Sequence, residues 1–319
     1  MAAAVTSLPL ACTVRGCGLP LDRRDRTFVC PAGHSFDVSR SGYVNLLQPQ
    51  DRKSLTAGDS KAALDARAAL LAMGVGRSIL DAFVTRAADL LRDSHGGERP
   101  VVVDLGSGGG DALAALTGCR PQDVTHHPPS TIHDTPPTIH HPPPTTHHPP
   151  STTHHPPSPI GIDLSTAAAE RAARRFPALA WVVANADRRL PLRDASVGLV
   201  LSLHGRRNPA ECARILAPGG VLLIAVPSPD DLIELRQHVQ TTAVMRERAD
   251  TLLGEHAPFF TLVERTSVRE RHTLDRDALL LLLRGTYRGA RLREAARIEA
   301  LTRMEITLSS EFFLFAPRH

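Results

Sequence analysis

The chain has 319 residues, 42% hydrophobic and 22% charged, which fits one large α/β domain with a small appendage. No run of 18 apolar residues occurs, arguing against a transmembrane span; the opening MAAAVTSLPLACTVRG lacks a charged start and is broken by Pro9, so no secretory signal is read and a cytoplasmic protein is expected. The net charge of +4 is carried almost wholly by arginine, with Lys53 and Lys61 the two lysines, and a balance this small permits an anionic partner without requiring one.

Residues 1–47 are expected to form a small domain with β-prone pieces such as TFVC and YVNLL. Its chemistry lies in Cys12-x4-Cys17-x12-Cys30-x3-His34, three thiolates and an imidazole, a donor set that suits a closed tetrahedral zinc site. So short a segment, with few large apolar side chains, needs such a staple to fold. Cys119 and Cys212 read as ordinary small side chains. Residues 48–97 read as a helical linker: Asp59 or Ser60 is the N-cap of KAALDARAALLAM, Gly74 is its stop, and RSILDAFVTRAADLLRD follows with Leu80, Phe83, Ala87 and Leu90 as a packing stripe.

From residue 98 to 319 the pattern is βα alternation, with VVVDLGSG, IGIDLS, LAWVVANA, VGLVLSL and GVLLIAV as short buried strands. The expected fold class is therefore α/β, a mostly parallel, doubly wound Rossmann-like sheet. Residues 121–159 interrupt it with an imperfect seven-residue repeat of His, Pro and Thr holding 9 of the chain's 16 histidines. Too little of it is apolar to build a core, so it is expected to be a disordered, solvated insertion whose paired histidines bind metal only incidentally.

In VVVDLGSGGG a buried strand ends at Asp104, and Gly106, Ser107, Gly108 and Gly110 make a tight turn into a helix, where backbone can approach a ligand closely. Asp163 and Leu164 end the next strand, and Asp163 is placed to bind ribose hydroxyls, as in a dinucleotide fold. Together with LPL after the third strand and RILAPGGVL before the fifth, these segments resemble class I methyltransferases that use S-adenosylmethionine. That resemblance implies that Gly106, Gly108 and Gly110 pass the methionine and ribose, and that Asn185 and Ala186 flank the adenine near Asp187.

Residues CGLPLDRRDRTFVCPAGHSFDVSRSGYVNLL, followed by AGDSKAALDARAALLAMG and the methyltransferase motifs, resemble the RlmA-type 23S rRNA (guanine-N1)-methyltransferases, including the tylosin-resistance branch. The stretch with Phe36, Asp37, Gly42, Tyr43, Val44 and Asn45 is the most specific part. The resemblance implies methylation of a guanine N1 in 23S rRNA, a structural zinc in a domain that helps grip an rRNA hairpin, and a homodimer whose cleft holds the RNA. Arg23, Arg24, Arg26, Arg40, Arg52 and Lys53 offer phosphate contacts, while Phe36 and Tyr43 read as small-core residues with base stacking as the alternative.

Three departures stand out. The family's first ligand pair is usually C-x2-C, where this chain has four residues between Cys12 and Cys17. After the fourth strand an aromatic residue, a small one and Pro give way to His204, Gly205, Arg206, Arg207 and Asn208. A later Met-x-Pro stretch becomes Arg284, Gly285, Thr286 and Tyr287. Guanine N1 carries a proton, so His204 is the expected acceptor, with Asn208 as a contact to the base edge. The changed pocket leaves two alternatives open: methylation of a small molecule, or a non-catalytic RNA-binding relative.

Overall fold

The computed structural model describes residues 8–51, 58–93, 100–121, 158–240, 248–286 and 302–318. Arg52, Lys53 and Tyr287, and the repeat between Pro121 and Ser158, lie outside these residues.

The N-terminal segment forms a three-stranded antiparallel sheet, β1 (Asp22–Arg24), β2 (Thr27–Val29) and β3 (Ser35–Asp37), and continues into β4 (Tyr43–Asn45). Two helices follow, α1 (Lys61–Ala72) and α2 (Arg77–Asp93). Ser60 caps α1 by accepting a hydrogen bond from the Ala63 N–H at 3.2 Å, and the chain turns at Gly74. The alternating part comprises β5 (Val101–Leu105), α3 (Asp111–Thr117), β6 (Ser158–Asp163), α4 (Thr166–Arg175), β7 (Ala180–Val183), β8 (Val197–Leu203), α5 (Pro209–Ile215) and β9 (Leu216–Pro227). Then come α6 (Ile233–Gln240), α7 (Ala249–His256), β10 (Phe260–Asp275), α8 (Arg276–Thr286) and β11 (Arg303–Pro317).

The main sheet has the order β10-β11-β9-β8-β5-β6-β7-β4. Strands β4 to β9 run parallel, and β11 is antiparallel to both β9 and β10. Continuous apolar strands such as VVVDL follow from this architecture, because a parallel sheet is covered on both faces. Successive residues divide between the faces. Val103, Leu105, Ile160, Ile162 and Ile224 pack with Leu10, Phe28 and Leu46 of the N-terminal segment. Val102, Leu199, Leu201 and Trp181 pack with Ile79, Phe83 and Ala87 of α2. Burying each such aliphatic or aromatic side chain contributes about 1.5–3 kcal/mol.

Two features determine where a ligand can sit. The chain winds outward from β5 in both directions, so a crevice opens at the carboxyl ends of β5 and β8, where doubly wound sheets bind ligands. A third apolar cluster joins Leu70 of α1 to Leu279, Leu282 and Leu283 of α8 and to Leu232 and Ile306. The cysteine-bearing segment is also continuous with the sheet: β4 pairs with β7 in the register Tyr43–Trp181, and Leu10 bridges to Leu192. Among the described residues no single helix is long and apolar enough to cross a membrane.

Candidate active site and metal centre

The glycine turn is held from below. The N–H groups of Gly106 and Ser107 donate to the Ile162 carbonyl at 2.8 and 3.2 Å, and the Gly108 N–H donates to Asp163 Oδ2 at 2.9 Å. The other Asp163 oxygen accepts from the Ser165 N–H at 2.7 Å, fixing the start of α4, whose N-cap is Ser165. The glycines do three different jobs. A β-carbon on Gly106 would lie 2.8 Å from Gly205 Cα, and one on Gly205 would lie 2.0 Å from the Leu105 carbonyl oxygen, so the loop after β8 rests directly on the turn. Gly110 lies against the Trp181 ring, where a β-carbon would come within 2.4 Å. Gly108, at φ +55°, has no described residue within 4 Å of its missing β-carbon and faces open space.

That space is a cavity of about 490 Å³. Asp104, Gly106, Ser107, Gly108 and His204 line it, bringing together five residues singled out from the sequence. Gly110, Asp163, Leu164, Asn185, Ala186 and Asn208 do not line it. Asp163 acts on it through Gly108, and half-buried Leu164 lies between Asp163 and the cap of α4. Asn185 is buried; its Nδ2 donates to the Asp51 carbonyl at 2.8 Å and its Oδ1 accepts from the Asp187 N–H at 3.0 Å, beside buried Ala186. Asn208 is the N-cap of α5, with Oδ1 accepting from the N–H groups of Ala210 and Glu211 at 3.1 and 3.4 Å.

The electrostatics of the turn favour a cation. Asp104 is buried, its Oδ1 has no hydrogen-bond partner among the described residues, and desolvation followed by the Asp163 charge pushes its pKa up to about 7. Burial raises the Asp163 carboxyl as well, against the hydrogen bonds from Ser165 and Gly108. Two desolvated carboxylates beside an open glycine turn match a cofactor that carries cationic amino and sulfonium groups and ribose hydroxyls. The residues present therefore fit S-adenosylmethionine.

His204 stands in a left-handed backbone conformation, φ 57°, with its N–H donating to the Ala225 carbonyl at 3.0 Å and Nε2 at 2.8 Å from Ser310 Oγ. Much of its surface opens to the cavity, yet protein surrounds the ring, and desolvation followed by the charges of Arg248 and Arg67 pulls its pKa down to about 4. The imidazole is neutral at pH 7. Gly285 of α8, one of the departures read from the sequence, also lines it, and residues not read from the sequence complete the walls: Arg67 and Ala68 from α1, Leu282 of α8, and Ser228, Asp231, Leu232, Arg236 and Arg248. For Ser228, Asp231 and Leu232 the available signal was position, because SPDDL directly follows a parallel strand at its ligand-binding end.

The second centre is the cysteine cluster. Cys17 and Cys30 Sγ are 3.8 Å apart, and His34 Nδ1 is 3.4 Å from Cys30 Sγ and 3.5 Å from Cys12 Sγ. The four ligand atoms all lie within 4.8 Å of one another. Zinc–sulfur bonds of about 2.3 Å give tetrahedral edges of about 3.8 Å, so the set fits a closed structural zinc. The wide spacing closes because the Cys17 N–H donates to the Val14 carbonyl at 2.9 Å, turning the chain back so that Cys12 joins the cluster.

The chain matches the RlmA N-terminal zinc-ribbon model over residues 11–55 and a methyltransferase-domain model over residues 152–224. It is 33% identical, over 82% of its own length and 80% of the relative's, to the 23S rRNA (guanine(748)-N(1))-methyltransferase of Streptomyces fradiae. The chain belongs to the 23S rRNA (guanine-N1)-methyltransferase family. A Micromonospora griseorubida relative assigned to 23S rRNA (guanine-N1) methylation is 30% identical over 92% of this chain and 95% of its own. Among solved structures, the chain is similar to an S-adenosylmethionine-dependent methyltransferase from Thiobacillus denitrificans in complex with S-adenosyl-L-homocysteine, at 15% identity and a TM-score of 0.39 over 74% of this chain and 91% of that one. The strand order identifies the class I S-adenosylmethionine-dependent methyltransferase fold, here with an N-terminal zinc ribbon built onto the sheet edge.

Proposed function

We propose that this methyltransferase transfers a methyl group from S-adenosylmethionine to N1 of a guanine in 23S rRNA. The observation that carries the reading is the relationship to the Streptomyces fradiae enzyme across four-fifths of both chains, zinc ribbon included. When bound, the cofactor supplies an electrophilic methyl group on a sulfonium. In our reading, Asp104 and the Gly106–Gly108 turn hold its amino acid end, Asp163 receives the ribose by way of the same turn, and Asn185 and Ala186 border the adenine. Alignment of the acceptor with the methyl group is the main task, because an in-line displacement gains most from orientation. The neighbourhood of His204 and Asn208 after β8 forms the acceptor side.

The zinc ribbon serves RNA recognition in this reading, with residues 1–47 as the recognition unit, 48–97 joining it to the methyltransferase domain, and 121–159 a dispensable insertion except for Ser158 and Pro159, which begin β6. Arg23, Arg24, Arg26 and Arg40 are exposed, and Arg26 also donates to the carbonyls of Val38 and Ser39. Phe36 and Tyr43 instead pack against the two main apolar clusters. The substrate is an rRNA hairpin held between two copies of the chain in the cytoplasm. The test is incubation with unmodified 23S rRNA and methyl-labelled S-adenosylmethionine, then nucleoside mass spectrometry. Labelled 1-methylguanosine is expected, whereas cofactor binding without any labelled nucleoside would point to a small-molecule acceptor.

A further inference from the structure

Beyond the glycine turn, the cavity is bounded by the loop from Ser228 to Leu232, which joins β9 to α6. This loop is tied along β11. The Ser228 N–H donates to the Ser309 carbonyl at 3.0 Å, the Leu232 N–H to the Thr307 carbonyl at 2.7 Å, and Ser309 Oγ to Asp230 Oδ1 at 2.7 Å. Leu232 is held at φ 52°, a left-handed backbone conformation that side chains other than glycine rarely adopt. Strain held in place by so many bonds marks a loop whose position matters, and it delivers one carboxylate to the cavity, Asp231. Asp231 Oδ1 accepts from the Ser309 N–H at 3.0 Å, which sets the orientation of the group. The charged groups around it are Arg236 and Glu234 on α6, neighbouring Asp230, and Arg248 and His204 on the same cavity.

We propose that Asp231 is the catalytic base, receiving the N1–H and N2–H edge of the guanine and taking the N1 proton, with Arg248 beside guanine O6. This rests on the guanine-N1 reading above. Guanine differs from the other bases in presenting two adjacent donors on its Watson–Crick edge, which a carboxylate accepts with its two oxygens. In the step, the N1–H bond breaks and its proton passes to a carboxylate oxygen of Asp231. The electron pair left on N1 forms the bond to the methyl carbon, and the sulfur–methyl pair returns to sulfur as a neutral thioether. Negative charge on the deprotonated base spreads to O6, where a guanidinium stabilises it. Burial raises the Asp231 carboxyl to about 6, against the hydrogen bond from Ser309 and the two arginines. His204, by contrast, is pulled down to about 4 and has Nε2 engaged by Ser310, so it is the weaker base.

The test compares wild type, Asp231→Asn and Asp231→Glu in single-turnover methylation of 23S rRNA between neutral and alkaline pH, with S-adenosylhomocysteine binding and thermal melting measured alongside. Asp231→Asn keeps an oxygen for the Ser309 N–H and is expected to melt and bind the cofactor product like wild type. Its transfer rate is expected to fall by about 100-fold or more at neutral pH, with the deficit shrinking as the pH approaches the ionisation of guanine N1 itself. Asp231→Glu, which keeps a carboxylate, is expected to restore part of the rate, and it carries the comparison if the Asn variant folds poorly. A wild-type rate in Asp231→Asn, or a deficit constant with pH, would overturn the proposal. A wild-type protein that binds S-adenosylhomocysteine but forms no 1-methylguanosine would overturn the guanine reading and this proposal with it.

Discussion

Gly205→Ala and Gly108→Ala separate the glycine that holds the site together from the one that faces the ligand. A β-carbon at Gly205 would lie 2.0 Å from the Leu105 carbonyl oxygen and 3.1 Å from Ser202 Oγ, with Gly106 packed against the same residue. Ordinary contact distances are about 3.5 Å, so backbone on one side must move by more than about 1 Å. Overpacking of this kind costs about 1–3 kcal/mol, and contact with backbone places it near the upper figure. For a chain of this size that lowers Tm by about 4–5 °C. The shift also lifts His204 away from the cavity and weakens S-adenosylhomocysteine binding. Gly108→Ala meets no described neighbour within 4 Å but sits at φ +55°. Its strain costs about 1–2 kcal/mol, a Tm change of a few degrees, while its methyl enters the cavity and lowers affinity by about 10-fold or more. Differential scanning fluorimetry and calorimetric titration read both quantities. An unchanged Tm for Gly205→Ala, or wild-type affinity for Gly108→Ala, would refute the assignment.

Three further outcomes follow from the geometry. Mass spectrometry of the native protein should find one zinc per chain; because β4 belongs to the main sheet and Leu46 to its core, chelation or Cys30→Ser should lower the melting of the whole protein by more than about 10 °C, and an unaffected melt would contradict the structural site. His256 is fully buried, stacked on Phe315 with centroids 5.1 Å apart, with Nε2 unpartnered among the described residues; burial, opposed by the Leu252 carbonyl and assisted by Arg207, lowers its pKa from 6.5 to about 4. The unfolded chain then binds a proton that the folded chain refuses, so this contribution is complete above pH 6.5 and is lost as pH falls toward 4. His256→Phe should remove about 2 kcal/mol of the wild-type loss between pH 7 and pH 5 in urea titrations, and parallel pH profiles would count against it. Trp181→Ala should cost about 3–5 kcal/mol, since its buried ring fills the space over Gly110 and Gly161, and a change under 1 kcal/mol in the same titrations would show that the ring carries little.

The parallel part of the sheet was legible because VVVDL, IGID, WVV, VGLVLSL and VLLIAV are apolar runs that need cover on both faces. The glycine turn and the metal donors were legible for a similar reason, since their chemistry restricts residue type. Strand β10 was not legible: it lies at the sheet edge and most of FTLVERTSVRERHTLD is exposed, so it shows no apolar alternation. Its partner β11 had a usable signal in the run Phe312–Phe315, which is buried. That β4 would extend the main sheet depends on pairing Tyr43 with Trp181, a contact distant in sequence that no local pattern encodes. Asn208 carries a second reading in the same type and position, since an Asn before Pro209 and three residues ahead of Glu211 is also a good helix cap, and its Oδ1 holds the start of α5. Asp231 escaped notice because a single carboxylate in a turn resembles any surface loop until the fold closes a cavity over it.

Guanine-N1 methylation is tested most directly by primer extension on 23S rRNA treated with the protein and S-adenosylmethionine, because a methyl group on N1 blocks Watson–Crick pairing and stops reverse transcriptase. One new stop adjacent to a guanine, dependent on the cofactor and matched by 1-methylguanosine in the nucleoside digest, is the predicted result. Labelled RNA with no stop would place the methyl group on another atom and contradict the account.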